Sequence, residues 1–588
     1  MSEQQVLSQL SVDNIRNHVR HIVDSMPSRL AGTPNAQRMA EYSAAELRAA
    51  GLEARIEAIP GLVSFPREAR LTILSPQHRA IPANTFGHSV ETPPEGVCGD
   101  LVYVGSGHFA DYDGKNVAGK ITLSELSYSP GRHEKQRIAA LMGSTAQIMR
   151  NWGHAENTAL PLGSVKPAWG NPTPETIKTE MPVIPSIGIS RVDGGYLIEQ
   201  LANGPVQVRL NTQVENGWRE LKMTIGELPA EAQDFVLIGG HQDGWYGEGA
   251  PDNAAGNACM LELARAFARH RDELRRGLVF GFWTAHETGT MVGSSWFADR
   301  NWDRVRKHGV AYMMIDQPAM LGTTRWSAHS TLELRRFHEG VEARMLGGNR
   351  VREWHRAPKI GDSSFFGVGV PTFWAEGGFT PEELQASANA TCGWWHHSLE
   401  STFDKIDWAW MADHIRIYAA YLWELCTAPV LPFEFVGVAG EFKGRIAELA
   451  ALGSAVGVDS LLTHADAFEA AARQLDSEAK RWNGIYRANA TRDDAPAELL
   501  NTCIKRLSRV LLPIASTVKG TYGHDTFSYT PQSTMIPCLY DVARLASAPP
   551  GGPERWQLET QLVRDRNRVS DALVDARLLI ETSLSMLK

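Results

Sequence analysis

The chain has 588 residues, which is too long for one hydrophobic core, so we expect roughly two to four domains. Its 58 lysines and arginines stand against 67 aspartates and glutamates, which gives a formal net charge of −9. No dense block of basic residues occurs, and this argues against nucleic acid as a partner because phosphate binding needs a basic surface.

The first segment, MSEQQVLSQLSVDNIRNHVRHIV, lacks the apolar core and the small-residue cleavage site of a secretory signal. No apolar run reaches the length of about 18 residues that a membrane span needs, so we expect no membrane association. The six cysteines lie far apart without a CxxC pair, which is typical of reduced thiols. We therefore expect a cytoplasmic protein.

Two helices and a strand are predicted at the N-terminus. The spacing of apolar residues indicates a helix from about Val12 to Met26 and a second helix that ends at Gly51, followed by a strand. From about Gly87 to Gln213 short β-like runs such as DLVYVG and VIPSIGIS alternate with Gly/Pro turns. This change of pattern predicts a β-rich insertion over residues 86–215.

The middle of the chain alternates apolar strands with helices. The strands are predicted at DFVLIGGHQD, GLVFGFWTAHE, VAYMMIDQP and VPTFWAE, and NAAGNACMLELARAFARH is one of the helices. Such alternation predicts an α/β fold with a mostly parallel sheet flanked by helices. We assign residues 1–85 and 216–430 to this domain.

Beyond about Pro432 the pattern is mostly helical, with apolar residues at helical spacing in segments such as EFKGRIAELAAL and DAFEAAARQLDSEAKRW. We predict a C-terminal helical domain over residues 431–588. Its apolar faces suit either a packed bundle or a dimer interface, and the sequence leaves both open.

Five residues of metal-ligand type follow strands or begin helices in this region. They are His241, Asp252, Glu287, Asp316 and His397. Taken singly, each has an ordinary structural explanation, such as a helix N-cap or a buried histidine. Together, two imidazoles and three carboxylates suit a pair of divalent ions that share one bridging carboxylate and activate a water molecule.

The order of these motifs resembles the zinc aminopeptidase and glutamate carboxypeptidase family of metallopeptidases, which includes the transferrin receptors. The matching segments are HQD at 241–243, DNAAG at 252–256, HE at 286–287 with GS at 293–294, the aspartate at 316, and HHS at 396–398 with ST at 401–402. The resemblance implies a zinc-exopeptidase-like fold, a protease-associated domain for the insertion, and a dimerisation region in the helical part. We therefore expect a homodimer.

The resemblance also implies roles for the residues. His241 and Asp316 would bind one ion, Glu287 and His397 the other, and Asp252 would bridge them. Zinc is the expected metal, and manganese, iron and cobalt are alternatives. Asp243, two residues after His241, can orient the His241 imidazole by contacting the side of the ring that faces away from the metal, and we predict that it is a catalytic residue.

The chain departs from the family pattern at His286, where the family has a glutamate that acts as general base. Four interpretations remain open. His286 could replace the base, act as an additional metal ligand, support a reaction without a hydrolytic water, or mark a loss of catalysis. All five ligand positions are retained, which favours retained chemistry.

The function expected from the sequence is a metal-dependent hydrolase that cleaves an amide or peptide bond of a small molecule or short peptide. The alternatives are a metal-dependent lyase or cyclase on the same scaffold and a catalytically inert binding protein. The segment GDSSFFGVGVP, with Asp362 and Ser363, resembles a loop on the substrate side of the site.

Overall fold

The computed structural model describes residues 3–347, 350–488, 493–528 and 530–587. The helices are α1 (Glu3–Gln9), α2 (Val12–Ser25), α3 (Pro34–Ala49), α4 (Arg132–Leu141), α5 (Thr176–Thr179), α6 (Arg191–Asn203), α7 (Gly256–Ala268), α8 (Val292–Arg300), α9 (Trp302–His308), α10 (Arg335–Met345), α11 (Pro381–Ala386), α12 (Trp408–Thr427), α13 (Val436–Ala450), α14 (Leu461–Arg487), α15 (Ala495–Ser516), α16 (Val542–Ser547) and α17 (Pro553–Met586). The strands are β1 (Glu53–Ser75), β2 (Arg79–Ile81), β3 (Ala83–Thr85), β4 (Val97–Tyr103), β5 (Ile121–Glu125), β6 (Ala146–Arg150), β7 (Ser186–Ile189), β8 (Gln207–Leu228), β9 (Ala232–His241), β10 (Arg276–Trp283), β11 (Gly309–Met314), β12 (Arg325–Ser330), β13 (Arg352–Arg356) and β14 (Thr372–Gly378).

The strands of the described residues form one sheet in the order β13-β12-β14-β11-β9-β10-β8-β4-β5-β6-β7-β3-β1-β2, with a further pairing of β8 with β1. Strand β9 is parallel to both β10 and β11, and β11 is parallel to β14. Antiparallel pairs border this section, β12 with β14 on one side and β8 with β10 on the other. The expected α/β class with a largely parallel sheet between helices is therefore confirmed.

Helices cover both faces of the parallel section. Val236 and Ile238 of β9 belong to one hydrophobic cluster, whereas Phe235 and Leu237 belong to a second cluster on the other face. This alternation follows from the two-residue period of a strand. Every residue of β10 is buried, as expected of a strand covered on both sides. Because these strands are packed on both faces, the residues at their ends are held in fixed positions.

Two long antiparallel strands lead into the inserted segment. Strands β1 and β8 pair from Glu53 opposite Glu227 to Ser75 opposite Gln207. Beyond them β4, β5, β6 and β7 form a parallel group with its own hydrophobic cluster. The boundary predicted between residues 215 and 216 lies inside β8. The likeness of this segment to a protease-associated domain stays a prediction.

The described part of the C-terminal region consists of helices α13–α17 and short 3-10 turns. An apolar stripe on α17 is buried and belongs to the same hydrophobic cluster as residues of α14 and α15; its members are Leu558, Leu562, Val569 and Leu573. The stripe therefore packs within the chain, and the homodimer stays a prediction. Across the described ranges, no helix combines the length and the hydropathy needed to cross a bilayer.

Candidate functional site

Three of the predicted ligands meet because their strands are neighbours. His241 is the last residue of β9, and Glu287 and Asp316 follow the ends of β10 and β11. Since β9 lies between β10 and β11 in a parallel arrangement, the carboxyl ends of all three strands meet at one edge of the sheet. This edge is where α/β sheets usually bind ligands.

Asp252 lies between the two histidines. It belongs to the turn Ala250–Ala255, which leads directly into α7. Its Oδ1 atom is 2.9 Å from His241 Nε2, and its Oδ2 atom is 3.3 Å from His397 Nε2. One carboxylate therefore faces both imidazoles, each through a different oxygen.

The remaining carboxylates complete two groups around Asp252. Asp316 Oδ1 is 3.5 Å from His241 Nε2, and Glu287 Oε1 is 3.1 Å from His397 Nε2. The structure thus brings together all five predicted ligands, in the same two pairs that the family resemblance implies. Their role as ligands stays a prediction, because distances between side chains do not identify an ion.

The chemistry of the donor atoms fits divalent cations. Glu287 Oε1 and Asp316 Oδ1 are buried and face imidazole nitrogens at 3.1 and 3.5 Å, but neither makes a hydrogen bond of regular geometry within the described residues. Such oxygens are unfavourable unless a cation satisfies them. Imidazole nitrogens and carboxylate oxygens are ligands that zinc accepts. Three groups of possible ligands have donor atoms within 4.8 Å of one another: His241, His286 and Asp316; Asp252, His396 and His397; and His241, Asp252 and Glu287.

The pKa shifts reflect the same crowding of charges. Burial disfavours protonation of His241, but the carboxylates of Asp316 and Asp252 outweigh it and raise the His241 pKa well above its ordinary value. Burial would raise the pKa of Glu287, yet His397 and its other basic neighbours lower it to about 2. Protons on the imidazoles thus compensate the negative charge of the carboxylates, and bound metal ions would displace those protons.

A fully buried arginine fixes the segment between His241 and Asp252. Arg29 donates from Nε to the carbonyl of Gln242, and from its two Nη atoms to the carbonyls of Glu248 and Gly249. Burial lowers the pKa of the Arg29 guanidinium to about 10. This contact was not foreseeable from local sequence patterns, because Arg29 precedes the segment by more than 200 residues.

Replacing Arg29 tests whether this segment positions the site. We expect Arg29→Met to lower the affinity for zinc by about 10- to 100-fold, because the loop loses three hydrogen bonds that hold His241 and Asp252 in register. Competition with a chromophoric chelator measures the affinity. The control is Arg473→Met, which removes an exposed arginine of α14. An unchanged affinity in Arg29→Met would contradict the positioning role.

Asp243 makes a different contact from the one expected. His241 Nδ1 lies 3.0 Å from the backbone carbonyl oxygen of Asp243, whereas the nearer carboxylate oxygen is 3.8 Å away. That carboxylate accepts hydrogen bonds from the backbone N–H groups of His286 and Glu287, at 3.0 and 3.1 Å. Burial raises the pKa of Asp243 to about 6. Asp243 therefore holds the turn after β10.

His286 is paired with a carboxylate. Its ring stacks on His241, with centroids 4.0 Å apart and planes 14° from parallel. Its Nδ1 atom is 2.9 Å from Asp362 Oδ2, and Asp362 Oδ1 accepts a hydrogen bond from the Ser294 hydroxyl at 2.7 Å. The sequence pointed to Asp362 as part of a loop near the substrate, but not to this pairing.

Three further residues border the site, of which His396 lies in the predicted HHS segment and Arg132 and Trp152 were not identified from the sequence. His396 Nδ1 lies 3.2 Å from Asp252 Oδ2, and its ring stacks between His397 and Trp152. Both Nη atoms of Arg132 are 3.5 Å from His397 Nδ1. Trp152 and Arg132 come from the inserted segment, so this segment forms part of the site wall.

Comparison with known proteins points to one family. A family model described as Peptidase family M28 matches residues 224–422. The chain is 23% identical over 511 residues to a protein named "Probable glutamate carboxypeptidase" from Zea mays, with 72% of this chain and 68% of that protein covered.

Solved structures agree with this result at the level of the fold. An aminopeptidase from Aneurinibacillus sp. strain AM-1 superposes with a TM-score of 0.54 at 20% identity, covering 72% of this chain and 96% of that one. A zinc aminopeptidase from Bacillus subtilis gives a TM-score of 0.52 at 19% identity, covering 71% and 95%.

Proposed function

We propose that this chain, whose residues 224–422 match the model of peptidase family M28, is a metal-dependent hydrolase that cleaves an amide or peptide bond of a small molecule or short peptide. One observation supports it above the others. Asp252 offers one oxygen to His241 at 2.9 Å and the other to His397 at 3.3 Å, which is the arrangement that a bridging carboxylate needs.

We assign one ion to His241 and Asp316, a second ion to Glu287 and His397, and the bridge to Asp252. Zinc is the proposed metal, and manganese, cobalt and iron are compatible with the same donor atoms. When bound, such ions lower the pKa of a water molecule and polarise a scissile carbonyl. The residues around them must then move protons and hold the substrate.

We assign the general base to His286. Its Nδ1 atom faces Asp362, so Nε2 is available to take a proton from the attacking water and deliver it to the leaving amine. A neutral imidazole with an ionised Asp362 carries the same net charge as a single glutamate. Asp362 therefore compensates the positive charge that His286 gains, which an isolated histidine beside cations could not do.

The inserted segment limits the size of the substrate in this proposal. Arg132 and Trp152 approach His397 and His396 from that segment and narrow the space above the site. A short peptide or a small amide fits such an enclosure better than a folded protein. A cytoplasmic location and a homodimer belong to the same proposal.

Metal reconstitution tests the proposed function. Chelated protein is incubated with zinc, manganese, cobalt or iron and then with a panel of aminoacyl and N-acylated amides. We expect at least one metal to restore turnover, with two products whose summed mass exceeds that of the substrate by one water. Products without added water would favour a lyase or cyclase. No turnover together with no bound metal would favour an inert binding protein.

A further inference from the structure

An acidic side chain lies beside the strand end that carries Asp316. Strand β14 runs parallel to β11, with Thr372 opposite Tyr312. Asp316 lies four residues after Tyr312, and Glu376 lies four residues after Thr372. Both carboxylates therefore lie at the same edge of the sheet, Asp316 just after the end of β11 and Glu376 within β14.

The position of Glu376 is close to the loop that carries His397 and is open to solvent. The Phe379 ring, just after β14, lies 6.4 Å from the Trp395 ring in the loop that carries His397. The Glu376 side chain retains 25% of its accessible surface, so a small ligand can reach it. Glu376 is therefore a partly exposed carboxylate at the sheet edge where Asp316 lies.

Glu376 has no charged partner in the described part of the chain. The one basic nitrogen within 4.0 Å is His329 Nε2, at 3.8 Å. Burial lowers the pKa of His329 to about 3, so this ring is neutral. Arg325, on the neighbouring strand, directs its guanidinium to Glu353 instead. The carboxylate is thus left without a cation.

The surroundings are stiff and suited to a cationic ligand. Trp374 lies on the same face of β14 as Glu376, and it stacks on His329 with centroids 4.7 Å apart and planes 7° from parallel. The Glu376 side chain is about three-quarters buried and has no cation beside it, and a carboxylate in such a place is costly without a counter-charge. A bound ammonium or guanidinium group would supply that charge.

We propose that Glu376 forms a subsite for a positively charged group of the substrate, on the Asp316 side of the scissile bond. This inference rests on the proposed hydrolase function and specifies its substrate class. The cation can come from two sources with the same chemistry, the free N-terminal ammonium group or a basic side chain on the residue before the scissile bond.

Four substrates separate these sources: the p-nitroanilides of lysine and norleucine, each with a free or an acetylated N-terminus. In the metal-loaded wild type we expect a positive charge on the N-terminus, on the side chain or on both to raise kcat/KM by about 10-fold or more over the neutral substrate, acetylated norleucine p-nitroanilide. Glu376→Gln should remove that preference and leave the neutral substrate unaffected, and Glu376→Arg should reverse it. Glu448→Gln, an exposed position on α13, is the control.

The pattern of loss identifies the cation. A preference tied to acetylation indicates the N-terminal ammonium, and one tied to lysine against norleucine indicates the side chain. The proposal is overturned if wild type shows neither preference, or if both survive in Glu376→Gln. If Glu376→Gln fails to fold, the test rests on wild type and Glu376→Asp. The proposal then requires that wild type prefers the charged substrate and that Glu376→Asp keeps this preference.

Calorimetry separates this inference from the hydrolase proposal. We expect L-lysine to bind metal-loaded protein at least about 10-fold more tightly than N-acetyl-L-norleucine, and Glu376→Gln to abolish the difference. If both binding results are obtained while no amide is cleaved, the subsite proposal is supported and the hydrolase proposal is contradicted. If neutral amides are cleaved but L-lysine binds no more tightly than N-acetyl-L-norleucine, the hydrolase proposal is supported and the subsite proposal is contradicted.

Discussion

Asp252→Asn is expected to reduce kcat/KM by at least about 10³-fold, because the metal contributions that it would disrupt amount to several kcal/mol. The asparagine keeps the size of the side chain but loses the negative charge that faces both His241 and His397. The bound metal should fall from two ions per chain to one or none, as measured by elemental analysis.

The appropriate control for this variant is Asp466→Asn, which neutralises an exposed carboxylate on α14 that pairs with Lys443. It should retain both the metal and the activity. If Asp252→Asn instead binds two ions with unchanged affinity, Asp252 is not a bridge and the proposed centre is wrong.

His286→Gln is expected to lower kcat by about 10²–10⁴-fold while the metal content stays unchanged, because it removes the proposed general base and none of the proposed ligands. Asp362→Asn should cause a smaller loss, since Nδ1 of His286 then lacks its counter-charge. Stopped-flow or steady-state kinetics, together with elemental analysis of each variant, measure both effects.

A double variant gives the sharper test of this base. His286→Glu alone places two carboxylates side by side, whereas His286→Glu with Asp362→Asn restores a single negative charge and a carboxylate base. We expect the double variant to be more active than either His286→Glu or His286→Gln. Loss of metal in His286→Gln would instead identify His286 as a ligand, an alternative that its place in a group with His241 and Asp316 makes reasonable.

Local patterns were sufficient to predict the elements that carry the site. The predicted helix from about Val12 to Met26 corresponds to α2 (Val12–Ser25), and the strand predicted to end near His241 corresponds to β9. Apolar periodicity and buried strand composition act within a few residues, so sequence alone reveals them. Parallel strands then bring their carboxyl ends together, which made the convergence of His241, Glu287 and Asp316 foreseeable.

Strands β12 and β13 escaped prediction, because they are short and partly exposed and lack the apolar run that marks β9 to β11. Their absence from the predicted sheet also hid the setting of Glu376, which depends on the pairing of β14 with both β11 and β12. Neighbours across a sheet are set by strand order, which periodicity does not encode.

The sequence by itself determined the α/β class, the order of the metal-type residues and the unusual histidine at position 286. Only the tertiary structure decided that Asp362 lies against this histidine, that Arg29 holds the loop before Asp252, and that Arg132 reaches His397. Each of these contacts joins residues separated by at least 76 positions, and packing of whole elements, rather than local propensity, brings them together.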